Sequence, residues 1–211
     1  MGTDSPQIPI WKRILGFTVA LSVLILASPL MLLIAFLVRT TMGSPVLFRQ
    51  LRPGFGGRPF ALYKFRSMRP EGDSGLCADE NRISPVGGFL RKTSLDELPE
   101  LWNVLRGEMS LVGPRPLLMQ YLDRYSPEQR RRHEVLPGIT GWAQVNGRNA
   151  VEWEQRLAMD VWYVDHQTLW LDLKILALTV LRVLRRQGVN RPGYATMPEF
   201  TKPVSREIPQ P

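Results

Sequence analysis

The sequence predicts an α/β fold of the α+β kind: a helix-rich single domain with one short β-hairpin and an N-terminal re-entrant membrane helix broken at Ser28-Pro29. Three observations predict it. Residues 14–38 carry no charge over about 25 residues, long enough to enter a bilayer. Two short β-forming runs flank a glycine-rich connection. Helical spacing of apolar residues dominates the remainder. No internal repeat is visible and no linker separates two cores, so the boundaries fall at 1–42 for the membrane segment, 43–187 for the folded domain and 188–211 for an extended, proline-containing tail.

The membrane segment is not a plain span. Pro29 removes a backbone donor just past the middle, and the Ser28 hydroxyl can bond a freed carbonyl. Lys12 and Arg13 precede the run and Arg39, Arg49 and Arg52 follow it. Under the positive-inside rule both ends then belong on the cytoplasmic side, which a re-entrant hairpin satisfies. A kinked but complete transmembrane helix is the commoner alternative. No small-x-small cleavage pattern follows the run, which argues against a signal peptide.

Residues 46–51 and 60–65 form the hairpin, joined by Pro53-Gly54-Phe55-Gly56-Gly57. Those glycines are not a phosphate loop, because no Gly-Lys-Ser/Thr closes them and a strand follows. Alternation places Lys64 and Arg66 on one face of the second strand, where a solvated strand face explains them as well as a functional one. Residues 70–85 lack apolar periodicity and read as a surface loop. Leu98, Leu101, Trp102 and Leu105 recur at helical spacing. Residues 126–136 read as a charged helix whose run Arg130-Arg131-Arg132-His133 is a solvated face or a seat for lipid head groups. Residues 137–149 form a turn-rich stretch with a short strand. Residues 152–187 form one or two helices ending in the basic Arg182, Arg185 and Arg186, which suits a membrane surface.

Lys plus Arg number 27 against 19 acids, a net charge of +8 that points to an anionic partner. The single Cys77 excludes an intramolecular disulfide and a cysteine zinc cluster, and favours a reducing compartment.

The most chemical stretch is Thr93-Ser94-Leu95-Asp96-Glu97-Leu98-Pro99-Glu100, followed by Gly113-Pro114-Arg115-Pro116. An acidic pair shielded by leucines suits metal binding or nucleophilic use, and Arg91, Lys92 and Arg115 would draw an anionic substrate to it. Ser94-x-x-Glu97 also matches a capping box, which would leave Glu97 only backbone donors to satisfy. Both readings stand at this level.

The ordered set of Ser28-Pro29, Lys64-Phe65-Arg66-Ser67-Met68, residues 90–99, Met109-Ser110-Leu111-Val112-Gly113-Pro114-Arg115-Pro116 and residues 137–149 resembles the bacterial sugar transferases, the small monotopic phosphoglycosyl transferases. The resemblance implies an enzyme that moves a phosphosugar from a UDP-sugar to a polyprenol (undecaprenyl) phosphate and releases UMP, at the start of glycan assembly. It implies Asp96 as nucleophile, through a phosphosugar-aspartyl intermediate, and Glu97 beside it, both near Mg2+. Phosphate binding falls to Lys64, Arg66, Arg91 and Arg115. Nucleotide binding falls to Pro114, Arg115, Pro116 and Arg148, the last in Gly147-Arg148-Asn149. The family's Ser-Pro break keeps both helix ends on the cytoplasmic face of the bacterial inner membrane, with the catalytic domain on the membrane surface. A homo-oligomer is compatible with this reading and a nucleic-acid partner is not part of it. The alternatives are a non-catalytic basic module on anionic lipid or nucleic acid, and a magnesium-dependent phosphohydrolase using the same carboxylates.

Overall fold

The computed structural model describes residues 8–69, 82–147, 152–184 and 199–200. Helix α1 (Ile10–Met42) is followed by β1 (Leu47–Pro53) and β2 (Pro59–Phe65), an antiparallel hairpin that pairs Leu47 with Phe65 and Pro53 with Pro59. Then come α2 (Pro85–Thr93), α3 (Glu100–Leu105), β3 (Ser110–Val112), the single turn α4 (Pro127–Arg130) and β4 (Gly138–Thr140). Three helices close the fold: α5 (Trp142–Asn146), α6 (Trp153–Asp165) and α7 (Leu169–Leu184). The helix-rich single domain and its short hairpin are as the sequence predicts.

Helix α1 runs unbroken through Ser28-Pro29, so the predicted break of the helix is not seen there. Pro29 has no N–H to offer the Ile25 carbonyl one turn back. The Ser28 hydroxyl donates to that carbonyl instead, at 2.8 Å. The serine thus repairs the hydrogen bond that the proline removes.

Both ends of α1 are fastened to the same domain. Near its start, Lys12 Nζ donates to Asp172 Oδ2 of α7 and to the Tyr163 hydroxyl of α6, each at 2.6 Å and out of solvent. Ala20 joins the central core with Leu62, Leu101, Met109, Val112 and Ile175. Near its end, Ile34 and Val38 pack on Phe65 and Leu90. Between Ala20 and Ile34 no residue is buried, and Ile25, Leu26, Leu30, Leu32 and Leu33 are exposed.

Strands β3 and β4 pair in parallel, Ser110 with Gly138 and Val112 with Thr140. Beyond the pairing the two chains almost touch. A Cβ on Gly113 would lie 2.2 Å from the Leu136 carbonyl oxygen, one on Gly138 2.1 Å from Gly113 N, and one on Gly141 2.2 Å from Gly113 O. Only glycine allows this approach, and it joins two motifs some 25 residues apart in sequence.

Candidate active site

The acidic pair sits at a chain reversal. Helix α2 ends at Ser94, which adopts the left-handed conformation (φ 58°, ψ 18°). A single tight turn, Leu95–Glu97, then leads through Pro99 into α3. Ser94 therefore closes one helix rather than opening the next, and its side chain caps nothing on the turn. The capping-box alternative is thereby removed: the Glu97 carboxylate turns inward to two cations.

Glu97 Oε1 accepts from Arg115 Nη2 at 2.7 Å and from Lys64 Nζ at 2.8 Å. Lys64 also meets Glu100 Oε1 at 2.9 Å. Lys64 follows the inward-facing Phe60 and Leu62 along β2, so the strand's alternation delivers it from the core to this cluster. Asp96, 9% exposed, stands beside them without a hydrogen-bond or ion-pair partner among the described residues.

The electrostatics separate the three carboxyls. Burial, with the Glu97 charge adding to it, pushes Asp96 up to about 6 against the pull of Lys64, Arg115 and Arg91. Burial works on Glu97 too, but Arg115 and Lys64 overcome it and hold that carboxyl far below the usual range. Glu100, 2% exposed, rises to about 7 because burial outweighs Lys64 and the nearby Glu97 charge reinforces it. The Glu97 charge raises Arg115 in turn.

Arg115 is set on a braced loop. The Pro114 carbonyl accepts from Gly138 N at 3.0 Å, the Arg115 carbonyl from Arg132 Nη2 at 2.8 Å and the Pro116 carbonyl from Arg52 Nη1 at 3.4 Å. Pro114 and Pro116 thus frame Arg115 through their backbone. Arg132 is held by Asp160 Oδ2 at 2.7 Å in a pair closed to solvent. The basic run read as a solvated or lipid-facing surface divides: Arg130 and Arg131 stay at the surface as read, with protein partners, while Arg132 and His133 turn inward. Arg132 and His133 are buried, Arg131 pairs with Asp165, and Arg130 donates to the Leu122 carbonyl.

The structure gathers Asp96, Glu97, Lys64 and Arg115, with Arg91 close enough to act on Asp96 by charge. Arg66 is a correction. Its guanidinium donates to the carbonyls of Met42, Gly43 and Ser44 and so closes the C-terminal end of α1 rather than a phosphate site. Alternation put it on the Lys64 face, but β2 ends at Phe65. Arg148 lies outside the described residues.

Sequence reasoning missed Glu100 and Asn103. Both are buried, while Trp102, counted on the apolar face, is exposed. Asn103 Nδ2 donates to the Ala61 carbonyl at 2.7 Å and its Oδ1 accepts from Tyr63 N at 3.3 Å, which joins α3 to the strand carrying Lys64. The signal was present: Glu100 and Asn103 each precede a buried apolar residue, Leu101 and Val104, three apart.

A magnesium ion fits this donor set only in part from the protein. Among the described residues no three of His, Cys, Asp and Glu converge as a metal cluster. Two neighbouring carboxylates match the habit of Mg2+, which takes one or two carboxylates and completes its shell with substrate phosphates and water.

The family described as bacterial sugar transferase matches residues 8–186, and the chain belongs to it. It is 53% identical over 194 residues to the uncharacterised sugar transferase EpsL of Bacillus subtilis, covering 91% of this chain and 96% of that protein. It is 44% identical over 197 residues to a UDP-glucose:undecaprenyl-phosphate glucose-1-phosphate transferase of Klebsiella pneumoniae, covering 88% of this chain and 42% of that protein. The undecaprenyl-phosphate galactose phosphotransferase of Salmonella typhimurium is 42% identical over 196 residues, 84% of this chain and 41% of that protein. The chain thus spans about two fifths of the longer relatives' length. It is a transferase, and its long apolar N-terminal helix suggests a membrane location.

Proposed function

We propose that the protein transfers a phosphosugar from a UDP-sugar to undecaprenyl phosphate, releasing UMP, with Asp96 as the nucleophile. The observation that carries this reading is the buried Asp96, without a hydrogen-bond or ion-pair partner among the described residues, beside a Glu97 already fixed by two cations. A carboxylate oxygen of Asp96 attacks the phosphorus bearing the sugar. The bond from that phosphorus to the bridging oxygen breaks and UMP leaves with the electron pair. The lipid phosphate oxygen then attacks the same phosphorus, the bond to Asp96 breaks, and the carboxylate is restored.

Arg115 and Lys64 carry the charge problem. An anion attacking an anion is repelled, and cations aimed at the diphosphate offset this. Asp96 and Glu97 would hold Mg2+, which when bound supplies further neutralisation of the diphosphate. Arg91 borders the same space, and Arg148 is assigned to the nucleotide by the family motif alone.

We read α1 as re-entrant, with both ends on the cytoplasmic face of the inner membrane. A straight helix of 33 residues is about 50 Å long, ample to cross a bilayer. Crossing would carry Lys12 and Val38 to opposite faces, whereas both are packed into one domain. Only the stretch around Pro29 is left for lipid. Exposed Trp102 and Trp170 suit a membrane interface.

The test is UMP release by the purified protein in lipid, with UDP-glucose and UDP-galactose supplied in turn and undecaprenyl phosphate present or omitted. Sustained release that requires the lipid supports the transferase. Sustained release of sugar phosphate without it would show a hydrolase.

A further inference from the structure

The family match ends at residue 186, yet two residues beyond it are built into the domain. Phe200 is 2% exposed. Its ring stacks on Tyr125 (5.7 Å, 29°), meets Tyr121 edge-on (5.6 Å, 73°) and lies tilted against Trp153 (5.4 Å, 52°). Phe200 N donates to the Tyr121 hydroxyl at 3.2 Å, and its carbonyl accepts from Arg124. Glu199 Oε1 accepts from Arg124 at 2.8 Å and from Gln120 at 2.9 Å. Backbone, charge and ring are all engaged, so this is a fitted contact rather than a tail resting on a surface.

The socket adjoins the arginine loop. Tyr121 and Tyr125 follow Leu117, which comes directly after Pro116 and packs in the same cluster as Phe200. Arg132 lies over the Tyr125 ring at 5.6 Å, donates to its hydroxyl at 3.3 Å, and donates to the Arg115 carbonyl at 2.8 Å. A continuous set of contacts therefore leads from Phe200 through Tyr125 and Arg132 to Arg115 and on to Glu97.

We propose that Glu199-Phe200 is a clasp that positions Arg115, supplied from beyond the residues that the family model matches. The clasp fills the space behind the loop, and without it Tyr125 and Arg132 lose the packing that holds the Arg115 backbone. The residues are positioning residues: they reach the substrate only through Arg115. The proposal rests on the reading of Arg115 as the diphosphate clamp.

Phe200→Ala and Phe200→Leu in the full chain test it by two readouts. Hydrogen exchange of the loop amides within 113–117, those of Gly113, Arg115 and Leu117, is compared with that of the hairpin at 47–65, and KM and kcat are measured for the UDP-sugar. Phe200→Ala is expected to speed exchange at 113–117 while leaving the hairpin unchanged, and to raise KM about tenfold with kcat within about threefold. Phe200→Leu, which refills much of the socket, is expected to recover most of both. Unchanged exchange at 113–117 overturns the clasp, and so does an equal rise across the hairpin, which would mean general destabilisation. Faster exchange at 113–117 in Phe200→Ala, when the wild type itself turns over no UDP-sugar, would instead retain the clasp and overturn the role given to Arg115.

Discussion

At the scale of the residue, the site turns on the charge of Asp96. A protonated carboxyl cannot attack phosphorus, so the transfer rate is expected to fall on the acid side with an apparent pKa of about 6. A pH profile of kcat/KM checks this, and a limb near 4 would mean that Asp96 is not held in the buried setting described. The same burial has a cost in stability. Because the folded pKa lies above the ordinary 3.8, Asp96 favours the folded state fully only below that value, and the contribution is lost as pH rises through about 6. That interval corresponds to about 3 kcal/mol as an upper figure. Asp96→Asn is therefore expected to be inactive and yet to melt higher than the wild type at pH 7.5, with the gap closing below pH 4. Calorimetry at the two pH values checks the sign. Asp96, Glu97, Lys64 and Arg115 were legible in the sequence because each belongs to a short motif of distinctive chemistry. For Glu100 the helical spacing signalled burial but not its role, which comes from a lysine on another element, and Arg66 was misplaced because strand alternation gives a direction but not what waits there.

At the scale of the element, the arginine loop owes its place to the contact of β3 with β4. Gly113 and Gly138 meet backbone to backbone, so neither side can yield to a methyl group. Gly138→Ala is expected to destabilise the fold by about 3 kcal/mol, read as a lower denaturant midpoint with an unchanged slope. Activity is expected to fall with it, because the Gly138 amide braces the Pro114 carbonyl beside Arg115. Both glycine motifs stood out in the sequence, but their pairing did not, being a long-range parallel contact of three-residue strands. The run of arginines before β4 misled for a related reason. Composition suggested a charged surface, whereas Arg132 has its own buried acid on α6 to meet, Asp160. The hairpin was easier, because its strand alternation and its turn are adjacent in sequence.

At the scale of the whole molecule, α1 and the domain act as one body. The Lys12 and Asp172 pair fixes the start of the helix against α7, and Arg66 fixes its end beside β2. Flanking basic residues already suggested that both ends share a side, but the partners that hold them lie more than 150 residues away in one case and could not be read locally. Single cysteines at positions 2 and 211, in a background lacking Cys77, are expected to be equally protected from an impermeant thiol reagent added outside intact cells. Opposite labelling would establish a span.

Such a placement would bring a soluble nucleotide sugar and a membrane lipid to the same carboxylate in turn. The most direct measurement of that claim is the intact mass of the protein after mixing with a UDP-sugar and no undecaprenyl phosphate. The account predicts a mass increase of one phosphosugar on the wild type, removed when the lipid phosphate is added and absent in Asp96→Asn. A wild type that releases UMP only when both substrates are present, and never carries the adduct, would contradict it.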